Sequence, residues 1–232
     1  MYWNTKHLCG AVALTAFAAC FANAGPLPTD AAAIPAAQGS AIFSGTTGAA
    51  TLTAKVEYAV YAPGMFSTSA ALAFPPDPSG GSDYVYAFEI FNDQGGNARV
   101  LNLSVDLAPD QNPTIVTHNP STPEAGLAPN LSQMIPVVGN PKTNVKWSWT
   151  TSLFNVGLHS DILLMTSPFA PHFVLSSMQG GSTTLASASL PSPIPEPGTL
   201  VLLGTGLAGL LAVARRRRRS SRQWSVQQVA AC

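Results

Sequence analysis

Hydrophobic positions follow two patterns along this chain. In the middle they recur every second residue in short runs, and at both ends they form stretches without charge. Leu52, Ala54, Val56, Tyr58 and Val60 alternate with Thr53, Lys55, Glu57 and Tyr61, a period of two that predicts a half-buried strand. Tyr84 to Phe91 follows, with Tyr84, Tyr86, Phe88 and Ile90 on one side and Val85, Ala87, Glu89 and Phe91 on the other. Asn92-Asp93-Gln94-Gly95-Gly96-Asn97 has the composition of a turn. Beyond it Leu101, Leu103, Val105 and Leu107 alternate with Asn102, Ser104 and Asp106, so Tyr84 to Leu107 reads as a hairpin.

Residues 108–144 hold seven prolines, too many for a regular core helix, and predict loops with short strands at Thr114 to Thr117 and Ile135 to Val138. Later candidates are Val145 to Thr151, Ile162 to Thr166, Phe173 to Met178 and Thr183 to Ala188. About seven to nine short strands separated by turn signals, without an amphipathic helix between them, predict an all-β fold: an antiparallel β-sandwich ectodomain over residues 51–190. Residues 25–50, rich in Ala, Gly, Pro and Thr without a lasting period, read as a flexible lead.

The ends are read differently. Lys6, the apolar stretch Leu8 to Phe21 and the small-x-small site Ala22-Asn23-Ala24 predict a secretory signal helix over residues 1–24, cleaved after Ala24. A rival reading takes Phe17-Ala18-Ala19-Cys20 as a lipoprotein box with Cys20 acylated. Cleavage after Ala24 removes Cys9 and Cys20, leaving Cys232 and no intrachain disulfide in the exported chain. At the other end Gly198 to Ala214 is 17 uncharged residues. As a helix these reach about 25 Å, slightly less than a hydrocarbon core of about 30 Å, a gap that bilayer thinning or snorkelling arginines can close.

Charge changes the picture at this point. The chain has 11 basic and 11 acidic residues, yet six of the basic ones are arginines between Arg215 and Arg222. Residues 25–197 carry four basic and 11 acidic side chains, a net of −7. An acidic body with one basic knot is no nucleic-acid binder, which would spread cations over a folded face. Arg215, Arg216, Arg217, Arg218 and Arg219 follow the apolar segment directly, as a membrane stop on the cytoplasmic side of a transmembrane helix, with 220–232 as a cytoplasmic tail. Only 9% of residues are charged, against roughly 25% in an ordinary soluble domain, which also favours export or membrane contact.

Directly ahead of the helix stands Pro195-Glu196-Pro197. The prolines lack amide donors and favour extended backbone, which keeps this tripeptide out of the helix and available at the membrane surface. Together, residues 195–219 resemble the PEP-CTERM sorting signal of bacterial proteins, and residues 191–219 are read as that signal with its linker. The resemblance implies an exosortase as processing partner in exopolysaccharide-making Gram-negative bacteria, with Pro195, Glu196 and Pro197 as recognised substrate residues. It also implies an anchored inner-membrane precursor that reaches the cell surface or the medium after processing. More loosely, residues 84–190 resemble extracellular domains found upstream of such signals, through the aromatic strand ending at Asn92, a Trp strand, Thr166 to Pro171 and Gly180-Gly181.

Chemistry in the body is sparse. Trp147 and Trp149 flank Ser148 and share one strand face, as core packing or as a platform for sugar rings. His118, His159 and His172 are widely separated, and neither Asp77 to Asp83 nor Asp106 with Asp110 has an EF-hand spacing, so no metal and no cofactor is expected. The chain has no Gly-x-Ser-x-Gly elbow and no Ser-x-x-Lys, so no catalytic residue is assigned. Asn102-Leu103-Ser104 and Asn130-Leu131-Ser132 fit the N-glycosylation pattern and read as chance matches. The expectation is a non-enzymatic surface or matrix protein associated with exopolysaccharide or biofilm, with a glycan-binding module or a secreted hydrolase as the other readings.

Overall fold

A computed structural model describes residues 27–107, 113–120, 125–136, 143–181 and 184–193. The signal site at Ala22 and Ala24, the sorting residues Pro195, Glu196 and Pro197, the apolar segment 198–214 with Arg215 to Arg219, and the tail 220–232 lie outside the described residues. Among the described residues no helix is long and apolar enough to cross a membrane.

Among the described residues ten strands form two antiparallel five-stranded sheets. They are β1 (Gln38–Thr47), β2 (Ala50–Tyr61), β3 (Tyr84–Phe91), β4 (Val100–Asp106) and β5 (Ile115–Asn119), then β6 (Leu131–Pro136), β7 (Thr143–Ser148), β8 (Ile162–Ser167), β9 (Pro171–Gly180) and β10 (Leu185–Pro193). The first sheet runs β1-β2-β3-β8-β5 and the second β10-β9-β4-β7-β6. The two pack face to face as a sandwich. Its core is filled by one side of each sheet, with Val56, Tyr86, Phe88, Ile90, Leu103, Val105, Trp147 and Leu163 all fully buried.

The first sheet is covered on both faces, which explains why β3 and β8 are apolar almost throughout. Ala59, Tyr61, Val85, Ala87, Ile162 and Leu164 point away from the sandwich core and are buried under Leu27, Ala33, Phe66 and Leu72. Those cover residues come from the segments before β1 and between β2 and β3.

Three sequence expectations are corrected here. The lead over 25–50 is not a free tether. Residues Leu27–Thr29 and Pro35–Ala37 form single 3-10 turns, and β1 pairs with β2 over ten positions from Gln38↔Ala59 to Thr47↔Ala50. Asp30 holds the lead down, because its carboxylate accepts from Tyr61 Oη at 2.7 Å and from Ser69 Oγ, both buried. Ile34 N–H donates to Val60 O at 2.8 Å.

Tyr84 to Leu107 is not a hairpin. β3 pairs with β2 and β8, while β4 pairs with β7 and β9 in the opposite sheet, so residues 92–99 form a crossover between layers. Asn92 fixes that crossover, its buried Nδ2 donating to Ala98 O at 3.3 Å and Phe154 O at 3.2 Å. Gly96 lies so close to β2 that a Cβ would stand 2.6 Å from Thr53 N, and the connection is pressed onto the sheet rather than looping back. Finally, the folded body does not stop at residue 190, since β10 continues to Pro193.

Candidate functional site

The strand that leads to the sorting signal is built into the body to its last residue. β10 is an edge strand of the second sheet, and its register with β9 runs from Leu185↔Gln179 to Pro193↔Pro171. An edge strand tolerates prolines because one side of its backbone needs no ladder partner, and Pro191 and Pro193 are accommodated there. Leu190 through Pro193 are all buried. Ser192 Oγ donates to Asp106 O at 2.7 Å, tying the strand end to β4. The neighbouring turn between β8 and β9 is held by Tyr86, whose hydroxyl donates to Phe169 O at 2.6 Å. One residue, Ile194, separates this anchored end from Pro195.

The two tryptophans are placed in the core, which corrects the sugar-platform reading. Trp147 is 0% and Trp149 1% exposed, so neither ring face is open for a sugar to stack on. Trp147 lies against Phe88 and Trp149 against Phe154, with centroids 5.8 and 5.0 Å apart. Each indole N–H is satisfied by a backbone carbonyl, Thr117 O at 3.1 Å and Leu127 O at 3.0 Å. The alternation placed both rings on one face correctly, and that face is the inner one.

Sequence reasoning did not single out a polar cluster on the covered side of the first sheet. Glu57 and Glu89 stand directly opposite each other on β2 and β3 and are 1% and 2% exposed. Lys55 Nζ is 2.8 Å from Glu57 Oε1 and lies 4.5 Å from the centre of the Phe91 ring. His159 stacks on the same Phe91 ring, with centroids 5.8 Å apart, and places Nδ1 3.0 Å from Glu89 Oε1. The cluster joins β2, β3 and the segment ahead of β8. Two acids opposite each other in a strand alternation were the available signal, but the period alone does not say that this face is covered.

The other histidine and aspartate candidates are also structural. His118 Nδ1 is 3.0 Å from Asp161 Oδ2, linking β5 to the start of β8. Asp77 Oδ1 accepts from Ser79 N–H and Oγ at 2.8 and 2.7 Å, and Asp83 Oδ2 accepts from Thr114 Oγ1 at 2.7 Å. His172 lies exposed on β9, and Asp110 lies outside the described residues. Among the described residues no group of three or more His, Cys, Asp or Glu side chains is arranged to hold a metal ion. A shallow hollow of about 20 Å³ between Phe66, Leu72, Pro75, Asn119, Pro120 and Ile162 has no titratable group in its lining.

Burial acts on the tyrosines. It pushes the Tyr61 hydroxyl well above its ordinary range, reinforced by the hydrogen bond to Asp30 and that residue's charge. Burial raises Tyr86 similarly, with a smaller contribution from Tyr84, and raises Tyr58.

Comparison with known proteins bears on the segment just beyond this fold. Residues 193–219 match the family described as the PEP-CTERM protein-sorting motif. No curated protein and no solved structure matches the chain. The chain thus carries a PEP-CTERM sorting signal beginning at Pro193, the last residue of β10. The signal implies an exosortase as processing partner, and export through a membrane-anchored precursor. The match starts two residues ahead of the tripeptide that made the signal legible in the sequence.

Proposed function

We propose that this is an exported surface or matrix protein whose β-sandwich body works without catalysis, in association with exopolysaccharide or biofilm, after an exosortase has acted on Pro195-Glu196-Pro197. The observation that carries this reading is the sorting signal at residues 193–219, joined directly to a closed sandwich. In the precursor the segment 198–214 spans the inner membrane and Arg215 to Arg219 stop it on the cytoplasmic side. The N-terminal signal ending at Ala22-Asn23-Ala24 starts the export.

The acidic groups described above support a non-enzymatic role. Glu57, Glu89, Asp30 and Asp161 are each buried and held by partners within the fold, as expected of residues that fix a scaffold. A polymer-associated role is tested by comparing two hosts, one making exopolysaccharide and one unable to. The protein is expected in the matrix fraction of the first and in the medium of the second. Equal partition in both hosts would remove the polymer association and leave sorting untouched.

A further inference from the structure

Only Ile194 to Pro197 stand between the last residue of β10 and the apolar segment that opens at Gly198. We propose that in the anchored precursor the body rests on the outer leaflet with one defined pole, the one formed by the end of β10, the turn between β8 and β9, and Phe173. This rests on the reading of 198–214 as a membrane span.

Pro193 is buried in the sandwich, and Gly198 opens the apolar segment five residues later. A fully extended chain covers that distance in at most about 17 Å. The end of β10 therefore stays within that reach of the point where the apolar segment begins. The strand end also cannot swing out cheaply, since Ser192 is bonded to Asp106 O and Leu190 is fully buried.

The register of β10 then ranks its neighbours by height above the bilayer. Phe173 pairs with Pro191, two rows from Pro193, or roughly 7 Å along the strand. Leu175 pairs with Ser189, two rows further. Leu185, at the other end of the strand, is eight residues from Pro193, roughly 26 Å. Phe173 is 50% exposed and leans edge-on against Tyr58, an aromatic side chain presented beside the tether. Contact with the interfacial region removes its exposed apolar surface from water, whereas Leu185 remains above the headgroups.

The test uses the full chain with Pro195→Ala, Glu196→Ala and Pro197→Ala to keep it unprocessed, and Cys9→Ala, Cys20→Ala and Cys232→Ser to clear other thiols. A single cysteine is placed at Phe173, at Leu175 or at Leu185, labelled with a fluorophore, and the protein is reconstituted in phosphatidylcholine and phosphatidylglycerol vesicles carrying a headgroup-depth nitroxide lipid. Quenching is expected to fall in the order 173, 175, 185, with the first several-fold above the last. Inserting a Gly/Ser linker of about 20 residues between Pro193 and Ile194 is expected to erase that order. Equal quenching at the three positions, or an order the linker leaves unchanged, overturns the proposal. If Phe173→Cys does not fold, the 175 to 185 comparison decides. Alkaline carbonate separates the two readings: a precursor washed off the membrane refutes the span itself, while one that stays with equal quenching refutes only the orientation.

Discussion

Trp147 of β7 donates its indole N–H to the backbone carbonyl of Thr117 on β5, at 3.1 Å, and so links the two sheets across the side where their edge strands meet. Trp149, just past the end of β7, donates in turn to Leu127 O at 3.0 Å in the segment between β5 and β6. The pair closes the sandwich on that side, as the contact of β1 with β10 closes it on the other. Trp147→Phe keeps a ring in the core but leaves Thr117 O without its donor, and is expected to cost about 1–3 kcal/mol. Trp147→Ala also empties a large volume and is expected to cost roughly 3–5 kcal/mol. Urea unfolding midpoints order the three proteins. A Trp147→Phe chain as stable as the parent would show that the bond does not staple the sheets.

The seam between β1 and β10 gives a second expectation. A Cβ on Gly45 would stand 2.1 Å from Leu185 O, with backbone on both sides and no flexible tip to give way. Gly45→Ala must push the seam apart and is expected to cost roughly 1–3 kcal/mol, with faster amide exchange in β1 and β10. Gly48 is the comparison, because its φ is +61° and a Cβ there meets nothing. Gly48→Ala is expected to cost only about 1 kcal/mol of backbone strain and to leave exchange at the seam unchanged.

Stability is expected to fall in alkali. Tyr61 and Tyr86 titrate higher in the folded protein than in the unfolded chain, because burial disfavours the phenolate. Their contribution is complete below the unfolded value of about 10 and declines as pH rises above it, by up to about 1.4 kcal/mol per unit for each tyrosine. Denaturant titrations between pH 8 and pH 11 read this slope. Tyr86→Phe should lower the whole curve yet flatten its alkaline limb, and an unaltered limb would assign the loss to other groups.

Asn92 offers a check on the crossover. Its amide serves two carbonyls that lie far apart in sequence, Ala98 O and Phe154 O. Asn92→Ala is expected to cost about 1–3 kcal/mol, and Asn92→Asp more, since a carboxylate cannot donate to either carbonyl. Thermal unfolding of the two variants compares them, and an Asn92→Asp chain as stable as the alanine variant would contradict the donor role.

Much of the sandwich was legible because burial on one face stamps a period of two on a strand, and burial on both makes it a short apolar run. β3 spans Tyr84–Phe91 as the alternation predicted, and β2 and β8 differ from it only at their ends. β1 was illegible for the opposite reason. Of its ten residues only Phe43 is fully buried, and the rest are mostly Gly, Ser, Thr and Ala, which leave no apolar period. The hairpin error at residues 92–97 has another cause. Turn composition records that the chain bends, but the partner of each strand is set by long-range contacts such as Asn92 to Phe154 and Gly96 to β2. The tryptophans show the same boundary: spacing puts Trp147 and Trp149 on one face, and only the second layer makes that face the inside. The sorting signal was legible because its elements are contiguous in the chain and need no fold to assemble.

The central claim is that Pro195-Glu196-Pro197 directs processing of an exported body that ends where β10 ends. Intact mass of the protein from cell and medium fractions of its native host tests this most directly, with the tripeptide intact and changed to alanines. A mass that begins near Gly25 and ends near Pro195, found for the parent and lost in the variant, is the expected result. Retention of 198–214 and Arg215 to Arg219 in both proteins would contradict it and leave a permanently anchored membrane protein.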